Sequence, residues 1–137
     1  MEYSTQMTMW SMFSAPLMIG CDVRNMSEAT KKILLNKNII ALDQDPLGRQ
    51  AIRMFRHDGI EAWKKPLSGD KFAIALFNRN ENASIVSVDA EDLEIEDSVQ
   101  YNARELYEAE ADAKPLQKLS TKLSAHETKV FILSRKV

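Results

Sequence analysis

The sequence predicts an α/β remnant of a (β/α)8 barrel, its last strand with flanking helices, followed by an antiparallel β-sandwich. Three observations predict it. An apolar helical stretch from Glu2 to Ser14 is closed by Pro16 and gives way at once to the apolar run Leu17, Met18, Ile19. The hydrophobic period changes after Arg49, and beyond it short segments of two-residue alternation are joined by polar turns. The division is expected near residues 48 to 55, with 1–50 as an incomplete barrel end and 51–137 as the sandwich.

In the first stretch Tyr3, Met7, Met9, Trp10, Met12 and Phe13 fall on more than one side of a helix, so that helix needs cover from several neighbours. Pro16 ends it, because proline disfavours helical geometry in the residue before it. Leu17 to Ile19, with Gly20 and Cys21 behind, has the pattern of a strand buried on both faces. Asp22 to Met26 is the turn that follows, and Ser27 suits the N-cap of a helix to about Leu35. Glu28 lies at its positive end, and Lys31, Lys32 and Lys37 lie toward its negative end. Ile39 to Leu42 leads into "DQDPLG", where Pro46 and Gly48 fix a turn. A lone parallel strand between two helices leaves its edges unsatisfied. The first half therefore reads as cut from something larger, its apolar edges covered by a missing barrel portion or by a second copy.

In the second half, "IRMFRHDGIEAWKKPL" predicts a hairpin about His57-Asp58-Gly59. "KFAIALFNR" sets Phe72, Ile74 and Leu76 against Ala73, Ala75 and Phe77, which predicts a central strand apolar on both faces. "ASIVSVDA", "SVQYNARELYE" and "TKVFILSRK" supply further strands, the last with Val130 and Ile132 on one side and Phe131 and Leu133 on the other. The expected total is about five to seven strands.

Composition narrows the function. At 137 residues, 45% apolar and 28% charged, the chain is an ordinary folded one. A net charge of -2 gives no general reason to expect a nucleic-acid partner, because affinity for a phosphate backbone depends on a basic face. Eleven acids between Glu81 and Asp112, balanced only by Arg104, read as solvated edges and loops. Cys21 is the single cysteine, expected as a small buried residue, so no disulfide forms within the chain. No apolar run is long enough to span a membrane, and the N-terminus lacks the pattern of a signal peptide; the compartment stays open. No Gly-rich phosphate loop, Cys-x-x-Cys pair or His-Glu-x-x-His helix occurs, so neither cofactor nor metal is expected.

His57 and His126 are expected in a surface turn and at a strand start. Paired carboxylates remain, since glycoside hydrolysis uses two. Asp22 follows the expected strand, on the face where barrels place functional groups, while Asp43 and Asp45 sit in a proline-fixed turn that favours backbone hydrogen bonding.

Longer motifs add to this reading. Trp10, Ala15-Pro16-Leu17, Asp22 with Arg24, and the run Ile39-Ile40-Ala41-Leu42-Asp43-Gln44-Asp45-Pro46-Leu47-Gly48 closely resemble the α-galactosidases, or melibiases, of glycoside hydrolase family 27. "WKKPLSGDKFAIALFNRN" resembles the start of that family's C-terminal sandwich. "NARELYE" resembles its Arg-Asp-Leu-Trp element, with Glu105 for the aspartate and Tyr107 for the tryptophan. The resemblance implies a β/α barrel bearing the active site, an antiparallel β domain after it, and retaining hydrolysis of terminal α-linked galactose. It also implies that the two catalytic aspartates belong to earlier strands, so none is expected here.

On this resemblance "PLMIG" is the eighth strand, Trp10 packs the outer ring, Ile19 lines the galactose pocket, and Asp22 and Arg24 hold the following loop in register. The implied function is the C-terminal part of an α-galactosidase, inactive alone, whose ligands are α-galactosides in the full-length enzyme. The alternative is a non-catalytic sandwich with a structural or weak carbohydrate-binding role, for which Trp63, Tyr101 and Tyr107 are the candidate aromatics.

Overall fold

Helix α1 spans Glu2–Met12 and ends sooner than Pro16 requires. Ser14 turns left-handed at φ 51°, and the amide of Ala15 reaches back to the Trp10 carbonyl at 3.0 Å, closing the last turn. The computed structural model describes residues 1–96, 98–107, 114–115 (backbone) and 118–136. After α1 the chain runs irregularly to a single 3-10 turn, Val23–Asn25, then forms α2 (Glu28–Leu34) and α3 (Lys37–Asp43). Ser27 caps α2 by accepting from the Thr30 amide, as expected, and Asn36 caps α3 by accepting from Asn38 and Ile39.

Leu17 to Ile19 pairs with nothing, which departs from the expected strand. A strand is defined by a neighbour's hydrogen bonds, and no parallel neighbour lies beside this segment among the described residues. Met18 is consequently 79% exposed, and Cys21, expected as buried, is exposed as well.

Eight strands follow: β1 (Ile52–His57), β2 (Ile60–Leu67), β3 (Lys71–Asn78), β4 (Ser84–Val88), β5 (Tyr101–Glu105), β6 (Lys114–Pro115), β7 (Leu119–Leu123) and β8 (Thr128–Arg135). The total is one above the expected range of five to seven, and the extra element is β6, a two-residue pairing. The larger sheet runs β1-β2-β3-β8-β5-β6, antiparallel at each pairing, so β3 is central as its two apolar faces require. Asp58 and Gly59, both at positive φ, make the two-residue hairpin turn that matches the twist of β1 and β2.

Two cores lie on opposite faces of this sheet. On one, Ala62, Ile74, Leu76, Phe131 and Leu133 meet Val86 and Val88 of β4 and Leu119 and Leu123 of β7, completing a sandwich. Ile85 and Ser87, which alternate with the two buried valines, point outward, and Ile85 is 80% exposed. On the other face Ala73, Ala75 and Val130 meet Met7 and Met12 of α1 and Ile39 and Leu42 of α3. The alternation of β3 thus sorts its large residues toward the second sheet and its alanines toward the helices, whose backbones need the room. The order is helices, six-stranded sheet, two-stranded sheet.

Helix α1 is seated through small hydroxyls rather than a purely apolar stripe. Thr5, Thr8 and Ser11 are buried; Thr5 Oγ1 donates to the His126 carbonyl at 2.7 Å, and Thr8 shares a hydrogen bond with the Tyr107 hydroxyl. That face leaves Tyr3, at 77%, and Trp10, at 39%, turned away from the sheet.

Candidate functional site

The segment between α1 and α2 holds the residues singled out for function. Asp22 caps the 3-10 turn by accepting the Arg24 amide at 3.0 Å, and the Arg24 guanidinium closes on the same carboxylate through Nε at 3.0 Å and Nη2 at 3.3 Å. The Arg24 side chain, then its amide, hold the Asp22 carboxyl below its ordinary value of 3.8, although the pair stands in solvent. The pair closes locally on the 3-10 turn, with both side chains in solvent.

An open groove of about 530 Å³ lies beside it, walled by Met7 and Trp10 of α1, Met18, Cys21, and Ile33 and Leu34 of α2. Ile19 stands at 51% exposure next to this wall. Tyr3, Trp10, Met18, Ile19 and Val23 are the exposed large apolar side chains of this region.

The other two candidate carboxylates are structural. Asp45 accepts from the Leu47 amide at 3.0 Å, the Ser68 amide at 3.0 Å and the Ser68 hydroxyl at 2.8 Å, tying "DQDPLG" to the β2–β3 turn. Burial works to raise its pKa, but these hydrogen bonds and the Lys65 charge prevail and hold it below 3.8. Asp43 is buried, accepts from the Gln44 side-chain Nε2 on Oδ2, and leaves Oδ1 without a hydrogen-bond partner among the described residues.

Beside Asp43 lies a residue that sequence reasoning passed over. Lys65, fully buried, donates from Nζ to the Ser11 carbonyl at 2.7 Å, the Ser14 hydroxyl at 2.8 Å and the Leu42 carbonyl at 2.8 Å. One ammonium from β2 therefore satisfies carbonyls near the C-terminal ends of both α1 and α3. Burial lowers its pKa, and the charges of Asp43 and Asp45 oppose that shift. The signal was present: in a strand covered on both faces, adjacent Lys64 and Lys65 must point to opposite sides, and one must enter the helix interface.

The candidate aromatics are engaged inside. Trp63 packs edge-on to Phe13 at 5.0 Å and donates to Glu61; Tyr101 is buried; the Tyr107 hydroxyl lies between Thr8 and the Ser4 carbonyl. His57 is exposed in its turn near Asp58, and His126 Nε2 lies 3.1 Å from Glu81. Among the described residues no helix is long and apolar enough to cross a membrane.

Residues 57–133 match the domain described as the alpha galactosidase C-terminal beta sandwich domain, and residues 2–45 match the family described as alpha galactosidase A. The chain is 35% identical over 133 residues to an α-galactosidase of Oryza sativa subsp. japonica and 33% identical over 133 residues to that of Coffea arabica. Each alignment covers 97% of this chain but 32% and 35% of the relative, so the chain spans about a third of the length of these relatives. A family 27 β-L-arabinopyranosidase from Geobacillus stearothermophilus superposes with a TM-score of 0.88 at 28% identity, over 99% of this chain and 31% of that one. These matches agree with a barrel remnant joined to a sandwich.

Proposed function

The chain belongs to the melibiase family of α-galactosidases, and from that premise we propose that it supplies the end of the barrel and the sandwich of an enzyme hydrolysing terminal α-linked galactose with retention. The reading divides the chain near residue 50. The first part closes the barrel, and the second buttresses it from behind through the core shared by α1, α3 and the six-stranded sheet.

The observation that carries the proposal is the state of the three carboxylates. Asp22 is clamped by Arg24, Asp45 is saturated by the β2–β3 turn, and Asp43 is buried beside Lys65. Each is engaged within the fold, whereas a nucleophile and an acid/base must both face the substrate. The catalytic pair then comes from the remainder of the barrel, and this chain alone does not turn over substrate. Ile19 gives that pocket an apolar wall against the less polar face of the sugar, and the Asp22–Arg24 clamp keeps the loop after it in register. The exposed groove of Trp10, Met18, Cys21 and Leu34 supports the same reading, because so much apolar surface calls for cover.

The test is the mass of the natural gene product together with its α-galactosidase activity. A product roughly three times the mass of this chain, as one-third coverage of the relatives implies, that releases galactose supports the proposal. An active product of 15.6 kDa overturns it.

A further inference from the structure

On the helix side of the larger sheet, at the β1 edge, three guanidinium groups converge on one buried oxygen. Glu61 of β2 has a side chain only 3% exposed. Its Oε1 lies 3.2 Å from Arg79, 3.7 Å from Arg56 and 3.8 Å from Arg53, while its Oε2 accepts the Trp63 indole N–H at 3.0 Å. We propose that this cluster is a binding site for the anionic substituent of an acidic sugar, a uronate carboxylate or a sulfate ester.

The register of β1 sets the cluster. Arg53 and Arg56 are three residues apart, so a regular strand would send them to opposite faces. The β1–β2 pairing slips between Arg53, opposite Trp63, and Phe55, opposite Ala62; this bulge brings both arginines to the face of Glu61. Arg53 then lies over the Trp63 ring at 5.9 Å, and Arg79 stands over Phe77 at 5.9 Å.

One buried carboxylate needs one cation, and Arg79 satisfies it with a hydrogen bond. Arg53 and Arg56 are too distant for hydrogen bonds to Glu61, and neither side chain makes another among the described residues. Their forked donors are unspent, and their side chains are 47% and 54% exposed. Three positive charges around one negative repel one another, and an oxyanion seated between Arg53 and Arg56 relieves that repulsion while offering the planar or tetrahedral oxygens that guanidinium forks match. The half-open setting suits a group projecting from an extended ligand rather than an enclosed small molecule. That the ligand is a sugar rests on the galactoside reading above; that the site takes an oxyanion does not.

The test follows the side-chain N–H resonances of Arg53, Arg56 and the Trp63 indole in the 137-residue chain during titration with tri-galacturonate, inorganic sulfate and neutral galactobiose. Saturable shifts with tri-galacturonate, competed by sulfate and absent with galactobiose, are expected. The double substitution Arg53→Ser/Arg56→Ser, on an exposed edge strand, is expected to weaken binding roughly tenfold or more with the other amide resonances unmoved. Arg53→Lys/Arg56→Lys, which keeps charge but not the fork, should restore only part of it. Shifts with sulfate but not with tri-galacturonate overturn the sugar assignment, and no saturable shift with either anion overturns the site. Neither readout involves turnover, so failure here leaves the hydrolase reading standing, and the reverse holds.

Discussion

The Nζ of Lys65 donates to the carbonyl of Leu42 at 2.8 Å, joining a strand of the sandwich to the last helix before it. The same ammonium holds the Ser11 carbonyl of α1, so one side chain couples both helices to the sheet. Replacing it by methionine keeps the apolar stem and leaves two carbonyls without their donor. Lys65→Met is expected to cost about 2–4 kcal/mol in a urea unfolding experiment. A change below about 0.5 kcal/mol would show that the ammonium is not what fastens the helices.

The same residue predicts a pH dependence. Burial pushes the folded-state pKa of Lys65 below the ordinary 10.5, so the unfolded chain keeps this proton to higher pH than the folded one. Stability from this group therefore rises with pH within that window. The neutral amine still donates to two carbonyls and accepts from the Ser14 hydroxyl. The stability gap between the parent chain and Lys65→Met should widen as the pH rises through the lowered folded value toward 10.5, measured by urea midpoints at each pH. A narrowing gap would contradict the assignment.

Asp45 predicts the opposite limb. Its folded pKa is lowered, so its contribution is present above the ordinary 3.8 and is lost as the pH falls through the lower folded value. Asp45→Asn should destabilise by about 1–2 kcal/mol at neutral pH, and the difference should shrink in acid. A pH-independent difference would mean that the carboxylate charge contributes nothing.

Gly59 makes a sharper local prediction. Its φ is +76°, and an added Cβ would lie 2.1 Å from the Asn80 side-chain oxygen, in the amide whose nitrogen holds the Asp58 carbonyl. Gly59→Ala should therefore cost more than about 1 kcal/mol, from backbone strain together with displacement of Asn80. Thermal unfolding at parent-like temperature would show that the turn adapts freely.

Much of the fold was legible, and the reasons are specific. The central position of β3 followed from apolar residues on both faces, the β8 alternation from Val130 to Leu133 matched its two cores, and Ser27 announced α2. The expected strand at Leu17 was a pattern without its partner, since strand identity depends on a neighbour that local sequence does not encode. Cys21 is exposed for the same reason. Lys65 was hidden because its burial depends on carbonyls 54 and 23 residues away. The Glu61 cluster was hidden because a bulge, which local alternation does not announce, puts Arg53 and Arg56 on one face.

The clamp between Asp22 and Arg24 separates stability from function. Both groups stand in solvent, so Asp22→Asn should leave the unfolding midpoint of this chain unchanged. In the assembled enzyme the same substitution should lower kcat with KM less affected, as loss of loop register does. Parent-like kcat would remove the positioning role.

The central claim is that these residues complete an active site without containing its reacting groups. The most direct measurement is galactose release from an aryl α-galactoside by the purified 137-residue chain, alone and mixed with a relative's barrel lacking the corresponding segment. The chain alone should give no turnover, and mixing should give turnover. Release by the chain alone, in proportion to its concentration, would contradict the central claim.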